Sequence, residues 1–481
     1  MKSTSRLGVG AVRPCRSLNH CHRSLLKTLV FCALGVLSAN GRTQGVLAPA
    51  GCPVFHCTVE ATGVLQGGIV QQVPSIASNK LLGDLRYQGC SGDGRRLTCL
   101  YYRDKSAGSS AGTLKVLDAT TLQPVWGSAG TPGSYDPVSA GTQGQVPLNL
   151  ADGRIAAGDS SVHALYDANG IVLGQLPLGG KGNNFGLTPV SAAYVIVSQS
   201  DGALTLVDLT TWQSVDVLWL RDPKTSSAIS LVSPSSGTDN VLYAIGVSSG
   251  VKKRGLLFAV TVDVARRKLV LRSSFAFAGR SGASPVVYAS SLSGLPYSLV
   301  LVHAPGLLGE AQPSNRLIAL MDDGVSLSPA WVLGLSAPLP VAPTIDPITQ
   351  TLFYVYGSDT RIHQVNVLTG TPVGEFDIAA TARMTAGFGL NGHLGAAQSG
   401  GTFTLLLSGS VPSGMGGAGQ YVMAFEPIDM PGAMLWVRKI AGSADSHTAA
   451  WNLGPSMHTG ISCPIVVGTS SGVTRLCDTG S

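Results

Sequence analysis

Charged and aromatic side chains are scarce in this sequence. Asp, Glu, Lys and Arg together make up 12% of the 481 residues, and aromatic residues make up 6%. Long amphipathic helices normally carry many charged side chains on their solvent face, and no stretch here combines a helical period with abundant charge. The composition therefore argues against a helical fold, while the 61 glycines favour a chain of many turns and buried sheets.

Acidic residues are missing before Glu60. The first 39 residues nevertheless contain six basic residues, which are Lys2, Arg6, Arg13, Arg16, Arg23 and Lys27. These six account for the whole formal net charge of +6. The body of the chain therefore has no net charge, which leaves no electrostatic basis for binding nucleic acid.

Long hydrophobic runs are also missing, apart from TLVFCALGVLSA at residues 28–39. Twelve apolar or small residues are too few to span a bilayer. Behind a basic stretch they predict a cleaved secretory signal over residues 1–39, with Leu37 and Ala39 as cleavage determinants. An organelle transit peptide is the alternative. No transmembrane span is expected in the mature chain, which we place in the secretory lumen or outside the cell.

The cysteines outside this leader support an oxidising compartment. They are Cys52, Cys57, Cys90, Cys99, Cys463 and Cys477. A four-residue loop at 93–96 would place Cys90 opposite Cys99, and a three-residue loop at 469–471 would place Cys463 opposite Cys477. Cross-strand neighbours lie within disulfide reach. The spacing thus predicts these two disulfides and, by default, a third between Cys52 and Cys57. A zinc site is the rival interpretation, but the chain has no C-x2-C pair.

One phrase recurs along the chain: a strand, a Gly-containing turn, a strand that ends in an acid or Asn, and a second turn. The recurring acid or Asn positions are Asp118, Asp167, Asp208, Asp263, Asp322, Asn366, Glu426 and Asp478. Successive positions lie 41–60 residues apart. A Pro often opens another strand upstream, as at Pro189, Pro285, Pro343 and Pro464, so one unit contains about four short strands.

Repeated four-stranded antiparallel units predict an all-β fold, a β-propeller of eight blades, with seven as the alternative. A small sheet alone cannot cover both of its faces, whereas radial packing lets each sheet cover the next. The predicted division is a signal over 1–39, an N-terminal extension with Cys52 and Cys57 over 40–79, and a single propeller over 80–481.

The repeats resemble those of PQQ-type propellers, the quinoprotein alcohol dehydrogenase-like family. SQSDGALTLVDLTT at 198–211 and YGSDTRIHQVNVLTG at 356–370 match its unit best. Four tryptophans follow their turn acid by 8–11 residues, where the family places a closing Trp, namely Trp126, Trp219, Trp331 and Trp436. The resemblance implies a ring with an axial funnel. It covers roughly residues 80–480.

Catalytic members of that family carry adjacent cysteines, a calcium site and a catalytic Asp. This chain has no adjacent cysteines, so the resemblance transfers no catalytic, quinone-binding or metal-binding residue. Two G-x-S-x-G matches, GVSSG at 246–250 and GTSSG at 468–472, fall between two strands, where a nucleophile elbow would need a following helix. GMGGAG at 414–419 precedes a strand, which argues against a dinucleotide site.

The histidines give no metal spacing. Outside the leader they are His56, His163, His303, His363, His393, His447 and His458. His163 and His363 lie at comparable repeat positions and could gather at an axis, although isolated histidines packed between blades are the favoured interpretation.

We therefore expect a non-catalytic scaffold that binds a protein or a glycan, without a cofactor. The segments 270–315 and 378–420 are its expected binding loops. The alternatives are an oxidoreductase that uses PQQ and calcium at a divergent site, and a lumenal subunit of a membrane complex.

Overall fold

The recurring acid or Asn caps a turn in several of the described repeats. The Oδ1 atom of Asp118 accepts hydrogen bonds from the backbone N–H groups of Thr120 and Thr121, at 2.9 and 2.7 Å. Asn366 accepts the same pair of bonds from the second and third residues after it. Such side-chain caps stabilise a chain reversal locally. In these repeats the recurring acid or Asn therefore marks the turn between the third and fourth strands of the sheet.

A computed structural model describes the protein. The described residues are 46–48, 58, 60–61, 64–66, 75–81, 90–102, 112–126, 146–158, 162–178, 184–233, 235–238, 240–250, 253–281, 283–310, 314–339, 342–356, 360–384, 388–390, 394–399, 402–411, 417–426, 433–440, 449–452, 465–469 and 472–477. All of them belong to the unit Arg42–Ser481. The predicted signal at 1–39 lies outside the described residues and stays a prediction.

The first four sheets follow one another along the chain, and we number them as blades. Blade 1 contains β3 (Cys90–Gly92), β4 (Arg96–Tyr102), β5 (Gly112–Asp118) and β6 (Pro124–Trp126). Blade 2 contains β7 (Leu148–Asn149), β8 (Ile155–Gly158), β9 (Val162–Tyr166) and β10 (Val172–Pro177). Blade 3 contains β11 (Asn184–Pro189), β12 (Tyr194–Gln199), β13 (Ala203–Asp208) and β14 (Gln213–Trp219). Blade 4 contains β15 (Ile229–Leu231), β16 (Ser236–Thr238), β17 (Val241–Ser248), β18 (Arg254–Asp263) and β19 (Lys268–Ala278).

The remaining four sheets include the two N-terminal strands. Blade 5 contains β20 (Val286–Tyr288), β21 (Ser298–Ala304), β22 (Arg316–Asp322) and β23 (Leu327–Gly334). Blade 6 contains β24 (Thr344–Asp346), β25 (Thr351–Val355), β26 (Arg361–Asn366) and β27 (Pro372–Asp377). Blade 7 contains β28 (Gly389–Leu390), β29 (Gly395–Ser399), β30 (Thr402–Val411), β31 (Gly419–Glu426) and β32 (Ala433–Ile440), with β1 (Val64–Gln66) added. Blade 8 contains β33 (Ala449–Asn452), β34 (Ile465–Thr469) and β35 (Gly472–Cys477), with β2 (Ser75–Leu81) added.

The predicted all-β propeller of four-stranded antiparallel blades is confirmed. The described strands form eight sheets, of which six have four strands, one has five and one has six. Helix is limited in the described residues to two single turns, α1 (Ser290–Ser293) and α2 (Ile378–Thr381). Within the same residues, no helix is long and apolar enough to cross a membrane.

Apolar clusters between successive blades hold the ring together. In β13, which is buried along its whole length, Val207 packs in the cluster shared with blade 2. Leu204 and Leu206 pack in the cluster shared with blade 4. Alternate residues of a strand face opposite sides of its sheet. A strand with apolar residues at consecutive positions therefore serves two interfaces, which is why such runs occur here.

The first strand of each blade lies at the axis, and the fourth lies at the perimeter. First strands such as β3, β20 and β24 are buried throughout, and β3 contacts β7 and β33, the first strands of its two neighbours. Fourth strands such as β14 and β23 are largely exposed. The sheets therefore radiate from a buried axial ring to an exposed outer edge.

The N-terminal strand β2 completes the last blade. It pairs antiparallel with β35, from Ser75 opposite Cys477 to Leu81 opposite Gly472. The strand therefore takes the perimeter place in blade 8 and crosses the predicted boundary at residue 80. Because β2 leads directly into blade 1, the two ends of the repeat array are joined by backbone hydrogen bonds.

Tryptophan rings stack on glycines of the next blade. At Gly170, which has a φ of +85°, an added Cβ would lie 2.7 Å from the ring of Trp126. At Gly370, with a φ of +69°, it would lie 2.6 Å from the ring of Trp331, whose indole N–H donates to the carbonyl of Val367 at 2.9 Å. Each of these glycines has a left-handed backbone and lies against a Trp ring. A side chain would be strained by the first and would collide with the second.

A Gly370→Ala substitution tests this contact. We expect it to lower the free energy of unfolding by about 2–4 kcal/mol, because left-handed strain and overpacking each cost roughly 1–2 kcal/mol. Gly324→Ala is the matched control, since Gly324 also has a positive φ of 87° but has no atom within 4 Å of an added Cβ. Urea denaturation of both variants measures the difference. Equal losses would show that the Trp331 ring does not press on this site.

Candidate binding surfaces

A stretch before the repeats lies against the axis at blade 2. Leu47 forms an antiparallel bridge with Leu150, the residue after β7. The Ala48 N–H donates to the Asn149 carbonyl at 3.1 Å, and the Ala151 N–H donates to the Val46 carbonyl at 2.8 Å. Residues 46–48 are all buried. The inner edge of blade 2 therefore receives an extra extended segment.

The same stretch reaches two further blades. The Val287 N–H of β20, in blade 5, donates to the Glu60 carbonyl at 2.9 Å. Strand β1 pairs parallel with β29 of blade 7, with Leu65 opposite Ala397. Three short pieces of one N-terminal segment thus contact the first strands of three blades that are not neighbours.

Small neutral polar side chains join the blades close to these first strands. Asn149 accepts a hydrogen bond from the Thr98 hydroxyl at 2.9 Å and donates one to the Ser91 hydroxyl at 2.7 Å, which ties blade 2 to blade 1. Ser198 and Ser235 share a hydrogen bond of 3.0 Å between blades 3 and 4. All five side chains are buried. The axial ring is therefore polar but carries no charge at these positions.

The carboxylates near the axis are held by their own turns. Buried Asp346 ends β24, and its two oxygens accept hydrogen bonds from the Ile348 N–H at 2.9 Å and the Thr349 hydroxyl at 2.6 Å. Calcium requires six to eight oxygen ligands, normally with several carboxylates among them. The described residues contain no group of three or more His, Cys, Asp or Glu side chains that could hold a metal ion.

The histidines singled out in the sequence do not meet at the axis. His163 and His363 lie on third strands, β9 and β26, in blades 2 and 6. The His363 ring stacks on Tyr354, with centroids 5.1 Å apart, and its Nδ1 lies 3.3 Å from Glu375 Oε2. His303 is buried on β21, and burial lowers the pKa of its imidazole. His56, His393, His447 and His458 lie outside the described residues.

The motifs that resemble enzyme signatures lie at strand ends or between strands in the sequence. GVSSG at 246–250 ends β17 and leads into β18, and GTSSG at 468–472 joins β34 to β35. GMGGAG at 414–419 leads into strand β31. Neither a nucleophile elbow nor a phosphate-binding helix follows these sequences.

The cysteines follow the predicted pattern in part. Cys90 lies directly opposite Cys99, and their Sγ atoms form a disulfide with the Cα atoms 4.2 Å apart. The predicted three-residue loop at 469–471 is wrong, because Thr469 pairs directly with Gly472. Cys52, Cys57 and Cys463 lie outside the described residues, so their pairings stay predictions.

The expected binding loops contain several strands of the blades. The segment 270–315 holds most of β19, all of β20 and β21, and α1, while 378–420 holds α2 and β28 to β30. The extra length of these repeats includes the long strands β19 and β30 and the added strand β28. Both segments therefore consist partly of blade strands, and the binding role expected of the rest stays a prediction.

Apolar side chains are exposed on the perimeter instead. Trp219 and Val217 on β14 are 51% and 46% exposed, Leu173 on β10 is 54% exposed, and Val270 on β19 is 48% exposed. Strand β14 contacts both β10 and β19, and Asp216 accepts a hydrogen bond from the Leu269 N–H at 2.7 Å. We call this surface on blades 2 to 4 the outer apolar surface, and define it by Leu173, Val217, Trp219, Val270 and Leu271.

The outer apolar surface has few of the charges that normally protect sheet edges. In β10, β14, β19 and β23 the charged residues are Asp216, Lys268 and Arg272. Asp216 is engaged by β19, and Arg272 is paired with buried Asp322. Edge strands usually carry charge or Pro to prevent association. An unprotected edge with an exposed Trp is therefore a place where another molecule can bind.

The repeat pattern assigns Trp219 to the closing position of its blade. Trp219 occupies a closing position in the repeat, yet it is exposed, while Trp126 and Trp436 at comparable positions are buried. In blade 3 the buried indole is that of Trp212, which donates to the His163 carbonyl at 3.1 Å and packs beside Gly174. Spacing from the turn acid cannot decide which of two tryptophans docks on the previous blade.

Solved structures share this fold at low sequence identity. A europium-containing methanol dehydrogenase is 12% identical, with 89% of this chain and 90% of that chain covered, at a TM-score of 0.58. A computationally designed protein, Ika8, is 12% identical over 83% of this chain and 98% of that chain, at a TM-score of 0.50. The likeness is one of fold alone.

No protein-family model and no curated protein matches the sequence. The dehydrogenase neighbour supports the fold-level relationship that the repeats implied. Its activity cannot be transferred at this identity, because function depends on the site and not on the fold.

Proposed function

We propose that the protein is a non-catalytic scaffold that binds another protein through the outer apolar surface. The observation that carries this proposal is the exposure of Trp219 beside Val217, on outer strands that have almost no free charge. Exposed Trp is typical of the centre of protein interfaces, where it supplies much of the binding energy. Contiguous exposed apolar side chains on a soluble protein mark an interaction site.

An oxidoreductase finds less support among the described residues. The axial first strands present Ser, Thr and Asn side chains, and the buried carboxylate Asp346 is occupied by its own turn. We therefore propose no reaction step through a quinone or a metal. The Cys90–Cys99 disulfide supports the proposed secreted or lumenal location, since disulfides persist in oxidising compartments.

A Trp219→Ala variant tests the scaffold function. We expect any protein partner captured by the wild-type chain to bind the variant about 30-fold more weakly, which corresponds to a hot-spot loss of roughly 2 kcal/mol. Quantitative mass spectrometry of captured secreted proteins identifies the partner, and calorimetry then measures both dissociation constants. Thermal unfolding should be nearly unchanged, because the side chain is half exposed.

Val325→Ser is the matched control, because Val325 is 75% exposed on a turn of blade 5 away from the outer apolar surface. It should retain the partner as the wild type does. Equal binding by Trp219→Ala would contradict the proposal. If the wild type binds a glycan array and Trp219→Ala does not, the ligand of this surface is a carbohydrate and not a protein. Reduction of a dye by the protein with added quinone and calcium would favour the oxidoreductase alternative over the scaffold.

A further inference from the structure

The axial first strands of blades 2, 5 and 7 contact extended backbone that belongs to none of their own repeats. We call residues 46–48, 60–61 and 64–66 the axial segment. Its contacts are the bridge at Leu47, the Val287 to Glu60 hydrogen bond and the parallel pairing of β1 with β29. Each contact is made at the inner edge of a different sheet.

These contacts are made by backbone atoms. The hydrogen bonds at blade 2 join the Ala48 N–H to the Asn149 carbonyl and the Ala151 N–H to the Val46 carbonyl. Addition of a strand to a free sheet edge is a recognised mode of peptide binding, in which main-chain bonds supply affinity for many sequences. The inner edges therefore offer donors and acceptors that another extended chain could also use.

Closure of the ring does not depend on the axial segment. Blade 8 is completed by β2 and not by β1, and β29 to β32 give blade 7 four antiparallel strands without β1. The parallel direction of β1 also departs from the antiparallel pairing of the other strands in that sheet. The axial segment is thus an addition to finished sheets, so it can exchange without opening them.

The chemistry of the segment matches its surroundings. Among the 21 residues from 46 to 66, Glu60 is the only Asp, Glu, Lys or Arg. The neighbouring axial side chains Ser91, Thr98 and Asn149 are also uncharged. Val46, Leu47 and Ala48 are 9%, 4% and 7% exposed. A site of this kind favours an extended, mainly aliphatic peptide over a strongly charged one.

We infer that the inner edges of blades 2, 5 and 7 form a binding site for an extended, mainly uncharged peptide, and that the chain's own axial segment occupies this site in the structure. The segment then acts as an internal competitor that keeps other peptides out. This site is separate from the outer apolar surface, and the inference does not depend on the proposed scaffold function.

The test uses a variant that lacks residues 40–66 but keeps β2. A fluorescent peptide with the sequence of residues 46–66, with Cys52→Ser and Cys57→Ser, is titrated into this variant and into the full chain. We expect saturable anisotropy with the variant and at least tenfold weaker binding to the full chain, because the attached segment has a high effective concentration. Equal binding to both proteins, or no binding to a variant with a native circular dichroism spectrum, would overturn the inference.

A second peptide separates strand addition from general hydrophobic adhesion. Ala48→Pro removes the N–H that donates to the Asn149 carbonyl while keeping the peptide apolar. It should bind at least tenfold more weakly than the parent peptide. Equal binding by the proline peptide would show that the backbone contact is not used. Trp219→Ala should leave peptide binding unchanged, which keeps this test apart from that of the outer apolar surface.

Should the deletion variant fail to fold, a protease site in place of residues 67–72 of the full chain allows the segment to be cut after folding. The cut fragment should stay with the ring on size exclusion and exchange with the labelled peptide. Release of the fragment without rebinding of the peptide would contradict the inference.

Discussion

Replacing β2 with a Gly-Ser linker of equal length is expected to abolish cooperative unfolding of the ring. The strand supplies the fourth place in blade 8 through its pairing with β35. A seven-residue ladder contributes roughly 5 kcal/mol if each hydrogen bond contributes about 1 kcal/mol, and a whole domain has a stability of only about 5–15 kcal/mol. Loss of the strand also leaves blades 8 and 1 without their hydrogen-bonded junction.

The same Gly-Ser replacement at residues 67–73, which separate β1 from β2 in the sequence, is the control. Urea denaturation followed by tryptophan fluorescence and circular dichroism compares the two variants. The control should unfold in one transition near the wild-type midpoint, while the β2 variant should show a broad transition or none. A sharp wild-type transition in the β2 variant would mean that β2 does not close the ring.

Asp322→Ala is expected to cause a large loss of stability. Asp322 accepts a 2.6 Å hydrogen bond from the Tyr243 hydroxyl and forms an ion pair with Arg272, so it joins blade 5 to blade 4. Burial, together with the charge of Asp322, raises the pKa of Tyr243, so its hydroxyl stays protonated and donates at neutral pH. Removal of the carboxylate leaves a largely buried guanidinium unpaired, which costs about 3–5 kcal/mol.

Asp263→Ala provides the comparison at the same repeat position. Asp263 pairs with Arg266, whose side chain is 81% exposed, so a much smaller loss is expected. Tyr243→Phe should fall between the two, since it removes one hydrogen bond but leaves the ion pair. Chemical denaturation of the three variants checks the order. A loss for Asp322→Ala as small as that for Asp263→Ala would refute the proposed role of this contact between blades.

Local chemistry explains what the sequence predicted well. Asp118 and Asn366 could be assigned to turns because an Asx cap needs only the residues beside it. The placement of Cys90 opposite Cys99 followed from a short loop in the same way. The loop between β34 and β35 was predicted less well, because Thr469 pairs with Gly472 and is not part of the loop. Register depends on turn geometry, which composition does not specify.

Contacts between distant segments could not be predicted. Leu47 bridges to Leu150, and Val287 donates to Glu60, across more than 100 residues of chain. The exposure of Trp219 follows from how β14 packs beside β10 and β19, and no feature within the repeat distinguishes it from a docked Trp. Both candidate binding surfaces therefore arise from the arrangement of blades, which the repeat alone does not define.

Hydrogen exchange measured by mass spectrometry tests the ring closure most directly. Peptides that cover Ser75–Leu81 and Gly472–Cys477 should exchange slowly and lose protection together, as two strands of one ladder do. When exchange is measured at increasing denaturant concentration, these two peptides should lose protection in the same range as the peptides that cover β12 and β13. Fast exchange of Ser75–Leu81 while Gly472–Cys477 stays protected would show that the N-terminal strand is not part of the last blade.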